Sequence, residues 1–157
     1  MTTDGETTDG ETTEPTASIE QTQQALAAER GYHFPTFEWL GLQDPDYERA
    51  RLDFVRMNYT RPNAELPVRY RELVASAILA FRGYSSLKLH LARALREGAS
   101  LREVLEAMEV ASVPGGMATL HYAVDQLIEL EQEEPELIAE ARARRGREAP
   151  GAEAGPG

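Results

Sequence analysis

Between Ser18 and about Arg145 the sequence is a succession of helix-forming segments, each bracketed by its own start and stop signal. No window alternates apolar and polar residues between hairpin turns, so no sheet is expected. Ser18 caps a helix running to Arg30 before Gly31, and Asp44-Pro45 sets a cap and a first-turn proline ahead of a helix to about Tyr59. Pro67 opens a helix that Gly83 closes, Ser85 starts the next, and Gly98 stops it. Ser100-Leu-Arg-Glu103 is a capping box for a helix with Leu101, Val104, Leu105 and Met108 at spacings of three and four, ending before Pro114. Pro114-Gly115-Gly116 introduces a helix whose stripe is Met117, Leu120, His121, Val124, Leu127 and Ile128, and a charged helix follows from Pro135 to about Arg145. The pattern predicts an all-α domain of about six to seven helices, orthogonal or bundle-like, with short connections that favour antiparallel neighbours.

A chain of 157 residues is long enough for one domain with a proper core and too short for two substantial ones. The opening MTTDGETTDGETTEPT has no large apolar residue after Met1 and buries too little to offset the entropy of ordering it, so residues 1–16 are expected to be a disordered acidic tail. Residues 147–157, rich in Gly, Pro and Ala, read as a second loose tail. The net charge of −11 argues against nucleic acid and anionic lipid as partners, since both need Lys and Arg gathered on one face. Six of those negative charges lie in residues 1–20, which hold no basic residue. No apolar run approaches the ~18 residues of a membrane span, and the N-terminus is acidic where a signal peptide is basic and then apolar. A soluble cytoplasmic protein is the expectation. The absence of cysteine excludes a disulfide framework, a thiolate metal site and a cysteine nucleophile.

Three residues carry the candidate chemistry. In the segment GYSSLKLHLARALREG, Ser86, His90 and Arg93 share one helix face while Leu87, Leu91, Ala94 and Leu95 share the adjoining apolar one. His90 thus borders a core, either as a hydrogen-bonded packing residue or as a titratable catalyst. On the preceding helix the apolar stripe Leu73, Val74, Ala77, Ile78 and Phe81 leaves Glu72 and Ser76 along its edge. A tight turn at Gly83 brings the two borders together, so Glu72 is either a surface carboxylate paired with a neighbouring arginine or a desolvated acid or base facing His90. His121 is the third, a buried histidine or, beside Gly115-Gly116 at a helix start, part of a carboxylate site. No metal is expected from Glu72, His90 and His121, because no two share a helix at ligand spacing. There is no P-loop, dinucleotide fingerprint or nucleophile elbow, and no cofactor is implied. The aromatic stretch GYHFPTFEWL (31–40) is expected to pack on the helical core or a neighbouring subunit, with His33 at the surface.

From Leu66 to Leu127 the run LPVRYRELVASAILAFRGYSSLKLHLARALREGASLREVLEAMEVASVPGGMATLHYAVDQL resembles the carboxymuconolactone decarboxylase and AhpD-like alkylhydroperoxidase superfamily. Arg71-Glu72-Leu73 opens one helix of the pattern, His90 and the segment Ala94 to Gly98 lie in the next, and the Ser100 cap and Pro-Gly turn follow. The resemblance implies an AhpD-like helical core at 65–132, a helical N-terminal extension at 17–64, a C-terminal helix within 133–146, and assembly into trimers or hexamers. It places Gly83 and Ser86 where the peroxidase branch has its Cys-x-x-Cys, so thiol peroxide reduction is excluded. What remains is a cofactor-free lyase or isomerase working on a small organic acid or lactone. His90 is then the acid or electrostatic stabiliser and Glu72 its orienting partner or the base. Arg71 is the carboxylate anchor, with Ser86 and His121 as further substrate contacts. The decarboxylase branch is expected to carry a glutamate near Ser86 that this chain lacks, which widens the reaction to decarboxylation, isomerisation or other proton transfer. The alternative is a non-catalytic helical oligomer that uses the same pocket to bind a ligand or protein partner.

Overall fold

The computed structural model describes residues 17–144, and both expected tails lie outside them. Among the described residues there are eight α-helices and no strand, one helix more than the upper expectation of seven. The chain divides after Phe54 into two compact units.

The first unit holds α1 (Ile19–Arg30), α2 (Pro35–Gln43) and α3 (Pro45–Val55). Local chemistry sets their ends. Ser18 and Gln21 form a reciprocal capping box for α1, Gly31 closes it in the left-handed conformation, and Asp44 accepts from the amide of Tyr47 to start α3. The unexpected helix is α2, which starts at Pro35 on Phe34, a residue whose side chain makes no capping bond. Tyr32, Phe34 and Phe37 form two edge-to-face contacts with centroids 5.5 Å apart, while Trp39 and His33 are exposed.

Glu48 is fully buried in this unit. It accepts from Arg51 Nε and Nη2 at 2.6 Å each and from Gln23 Nε2 at 2.8 Å, and the Arg51 guanidinium lies 3.6 Å from the centre of the Phe37 ring. Burial pushes the Glu48 carboxyl up, but the hydrogen bonds from Arg51 and Gln23 and the charge of Arg51 outweigh it and hold the group below its ordinary 4.5. A carboxyl depressed on folding adds stability that is complete above the unfolded value and fades as pH falls through the folded one. Glu48→Gln should therefore loosen α1 and α3 at pH 7. The gap to wild type, read by amide hydrogen exchange, should close as the pH is lowered well below 4.5.

The second unit begins with a π-helical turn (Arg56–Thr60) and holds α4 (Val68–Arg82), α5 (Leu87–Arg96), α6 (Leu101–Gly115), α7 (Met117–Glu133) and α8 (Pro135–Ala143). At its centre is α5, which buries seven of its ten residues: Leu87, His90, Leu91, Ala92, Arg93, Ala94 and Leu95. It packs against α4, α6, α7 and α8, and the alanines at 92 and 94 let those neighbours approach on more than one side. Leu73, Ala80, Val104, Met108, Ala123, Leu127, Leu130 and Ile138 complete the core around it. Ser100 accepts from the amide of Glu103 at 3.1 Å while Glu103 accepts from the amide of Ser100 at 2.8 Å. Ser100→Ala should lower stability by about 1 kcal/mol in a urea titration, because it leaves the part-buried amide of Glu103 in the first turn of α6 without its acceptor.

Three expectations are corrected here. On α4 the buried face is Glu72, Leu73, Ser76 and Ala80, whereas Val74, Ile78 and Phe81 are each more than half exposed. On α7 the buried face is Thr119, Ala123, Leu127 and Leu130, which leaves Met117, His121 and Ile128 exposed. Both helices are rotated from the apolar stripe toward small and polar residues. Finally, α6 runs through Pro114 to Gly115, since the amide of Gly116 still reaches the carbonyl of Ser112 at 2.7 Å and continues the ladder past the proline.

Candidate active site

Gly83 builds the site by turning the chain. Its φ of +61° is open to glycine at little cost, its amide bonds the carbonyl of Ala80, and the amide of Tyr84 bonds that of Leu79. The chain leaves α4 and enters α5 within a few residues, and these two helices make the most extensive contact in the unit. Across it, His90 Nδ1 lies 2.6 Å from Glu72 Oε2, with Glu72 fully buried and His90 only 6% exposed. In the tautomer with the proton on Nδ1 the ring donates to this carboxylate oxygen, and the contact orients the ring. Arg93, one turn after His90, is 3% exposed, and its Nε stands 3.4 Å from Glu72 Oε1 and 3.9 Å from Glu97 Oε1. One carboxylate thus faces a histidine on one oxygen and a guanidinium on the other.

Hydrogen bonding in this cluster is incomplete. Glu72 Oε1, Ser76 Oγ, and Nε and Nη1 of Arg93 are shut off from solvent without a hydrogen-bond partner among the described residues. A buried polar group left without a hydrogen bond costs about 1–3 kcal/mol, and for Arg93 Nε and Glu72 Oε1 the 3.4 Å ion pair between them offsets part of that cost.

The other candidates fall as follows. Ser86 is buried and precedes α5, where its backbone carbonyl accepts from Leu89 and its side chain makes no capping bond. Arg71 lies outside the cluster: its Nη1 donates to the backbone carbonyls of Asn58, at 3.2 Å, and of Tyr59. It clamps the π-turn instead, and that turn presents Tyr59 with its ring centre 6.2 Å from that of His90. Short π-helical segments recur at functional sites, yet nothing in RMNYT announces one. His121 is exposed and is not gathered with Glu72 and His90. Of the glycine pair beside it, Gly115 is closed in by packing, since a Cβ there would stand 2.3 Å from Thr119 Oγ1 and 2.8 Å from Phe81 Cδ2, whereas a Cβ on Gly116 would meet nothing within 4 Å. Arg93 is the residue that sequence reasoning left without a role, although its place on the face of Ser86 and His90 was legible.

Among the described residues no three acidic or histidine side chains are grouped to hold a metal ion, and no helix is long and apolar enough to cross a membrane. A cleft of about 920 Å³ lies within the first unit, lined by Ile19, Leu26, Phe34 and Phe37 among others, and includes none of Glu72, His90 and Arg93.

An all-helical unit in which two consecutive, contacting helices bury a Glu–His pair behind a glycine turn defines the class. The model of the carboxymuconolactone decarboxylase family matches residues 45–129, more than half of the chain, and the chain belongs to that family. A crystal structure from Burkholderia xenovorans LB400, described as a candidate carboxymuconolactone decarboxylase, superposes with a TM-score of 0.64 over 73% of this chain and 92% of that one. At 20% identity that likeness speaks for the fold alone. No curated protein matches the sequence.

Proposed function

We propose that the chain is a cofactor-free lyase or isomerase that acts on a small organic acid or lactone by proton transfer at His90. The observation that carries this reading is the buried 2.6 Å contact between His90 Nδ1 and Glu72 Oε2. With Nδ1 committed to the carboxylate, Nε2 is the nitrogen that exchanges a proton with substrate. Loss of CO₂ beside an unsaturated lactone, or migration of its double bond, leaves negative charge on the carbon skeleton. That charge needs a cation or hydrogen-bond donor as it grows and a proton at carbon afterwards. A protonated His90 supplies both, and Glu72 holds the ring and balances its charge. The test is a screen of unsaturated lactones and ring-cleavage acids for loss of ultraviolet absorbance or release of CO₂. If no compound turns over, and those that raise the melting temperature do so equally in His90→Gln, the non-catalytic binder replaces the enzyme.

Assembly into a homo-oligomer, a trimer or hexamer by the family resemblance, belongs to the same proposal. Support comes from the outward apolar residues Val74, Ile78 and Phe81 of α4, each 55–56% exposed, on a stretch with no charged residue between Glu72 and Arg82. Sedimentation should give a species well above the 17.4 kDa of one chain, and Ile78→Glu should shift it toward that mass. A monomeric wild type would remove this part of the proposal.

A further inference from the structure

A catalytic imidazole has to meet its substrate, yet His90 is 6% exposed, and Glu72, Ser86 and Arg93 around it are buried as well. Tyr59 is the neighbour that differs. Its ring centre lies 6.2 Å from that of His90 with the planes 53° apart, within the range of an aromatic contact, and the residue is only partly buried. The turn that carries it presents Arg56, Met57 and Asn58 to solvent. A ring that meets a buried imidazole on one side and the surface on the other stands in the way in.

That turn is held from α4. A helix end leaves its last carbonyls without donors of its own, and here the chain runs on through residues 61–67, mostly exposed and without regular structure. Nη1 of Arg71 donates to the carbonyls of Asn58, at 3.2 Å, and of Tyr59. Bonds from a charged donor are stronger than neutral ones, so this side chain fixes the residue whose ring lies against His90. Arg71 and Glu72 are adjacent on α4 and point about 100° apart, so one turn of helix holds the imidazole from within and its neighbour Tyr59 from without. A short segment at the surface opens locally at a lower free energy than the core. Resting on the acid/base reading of the site, we infer that Arg71 is a positioning residue: it latches the π-turn so that Tyr59 covers His90, and release of that latch admits a small organic acid or lactone to Nε2.

The test is reaction of the full-length chain with diethyl pyrocarbonate, which acylates neutral imidazole nitrogen, read at each histidine by peptide mass spectrometry. His33 and His121 are exposed and serve as internal references. In wild type His90 should react at least about tenfold more slowly than either. Arg71→Gln removes the charged donor and Tyr59→Ala removes the ring; each should raise the His90 rate about tenfold and leave the references within about twofold. Tyr59→Phe should keep the wild-type rate. Arg71→Gln added to Tyr59→Ala should gain no more than about twofold, because the latch acts through the ring. Low urea separates the routes: reaction through a locally opened turn changes little with denaturant, whereas reaction through global unfolding rises steeply. A wild-type His90 as reactive as His121, a rate unchanged in both variants, or a rise that follows urea overturns the cover. Full additivity of the two changes overturns the latch. If the variants uncover His90 and no lactone or ring-cleavage acid turns over in any of these proteins, the proposed reaction fails while the cover stands.

Discussion

Replacing Glu72 by leucine should lower the unfolding free energy by about 3–5 kcal/mol, the range seen when one member of a buried ion pair is removed and the other stays. Glu72 is fully buried, and Arg93 beside it is 3% exposed with no acidic neighbour nearer than Glu97 at 3.9 Å. The variant strands that guanidinium in the interior, where Arg93 is 3% exposed. The double replacement Glu72→Leu with Arg93→Met should recover most of the loss, since two apolar side chains of similar volume need no partners. Urea titration of the four proteins in the cycle measures the coupling directly. A single variant within about 1 kcal/mol of wild type, or a double variant no better than the single, would show that Arg93 does not depend on Glu72.

That cycle bears on why the chain keeps a charged cluster in a small core. A buried charge pair carries a desolvation cost on both sides, and an all-apolar interface between α4 and α5 would be as stable or more so. The rotation of α4 follows from the same cluster. Turning Glu72 and Ser76 inward carries Val74, Ile78 and Phe81 outward, where each is more than half exposed.

Signals carried by one turn of chain were legible in the sequence. Ser18, Asp44, Gly83 and Ser100 each act through backbone groups within a few residues, so their caps and stops fall where the residue types put them. Helix α2 escaped because Phe34 offers no capping oxygen and the aromatic density of 31–40 reads as packing rather than as a helix. Rotation about the helix axis was illegible for α4 and α7, since both carry apolar residues on two faces and periodicity does not say which faces inward. Arg71 lies outside the cluster for a simple geometric reason: adjacent residues on a helix point about 100° apart, so the neighbour of an inward Glu72 is turned away from it. Arg93 is 21 residues from Glu72 and meets it only when α4 and α5 pack.

His90→Gln should reduce turnover of any substrate found for this chain by 10²- to 10⁴-fold, the span attributed to general acid–base catalysis and equal to about 3–5 kcal/mol of activation free energy. Glutamine is chosen because its amide N–H can still donate to Glu72 Oε2, now held 2.6 Å from His90 Nδ1, and fill much of the same space. It has no group that gives or takes a proton near neutral pH. Folding stability should therefore move by less than about 1.5 kcal/mol, as for an exchange between hydrogen-bonded side chains of similar size. Separating the two effects is what distinguishes a catalyst from a core histidine: packing loss lowers stability and activity together, whereas loss of the proton carrier lowers activity alone. Glu72→Gln should act on the same step through the ring, by leaving the imidazole without the acceptor that fixes its tautomer, and so flatten the pH profile as well as lower its maximum. Turnover of His90→Gln within threefold of wild type, on a substrate whose reaction needs proton transfer, would assign the proton to another residue, and Tyr59, with its ring 6.2 Å from that of His90, is the next to replace.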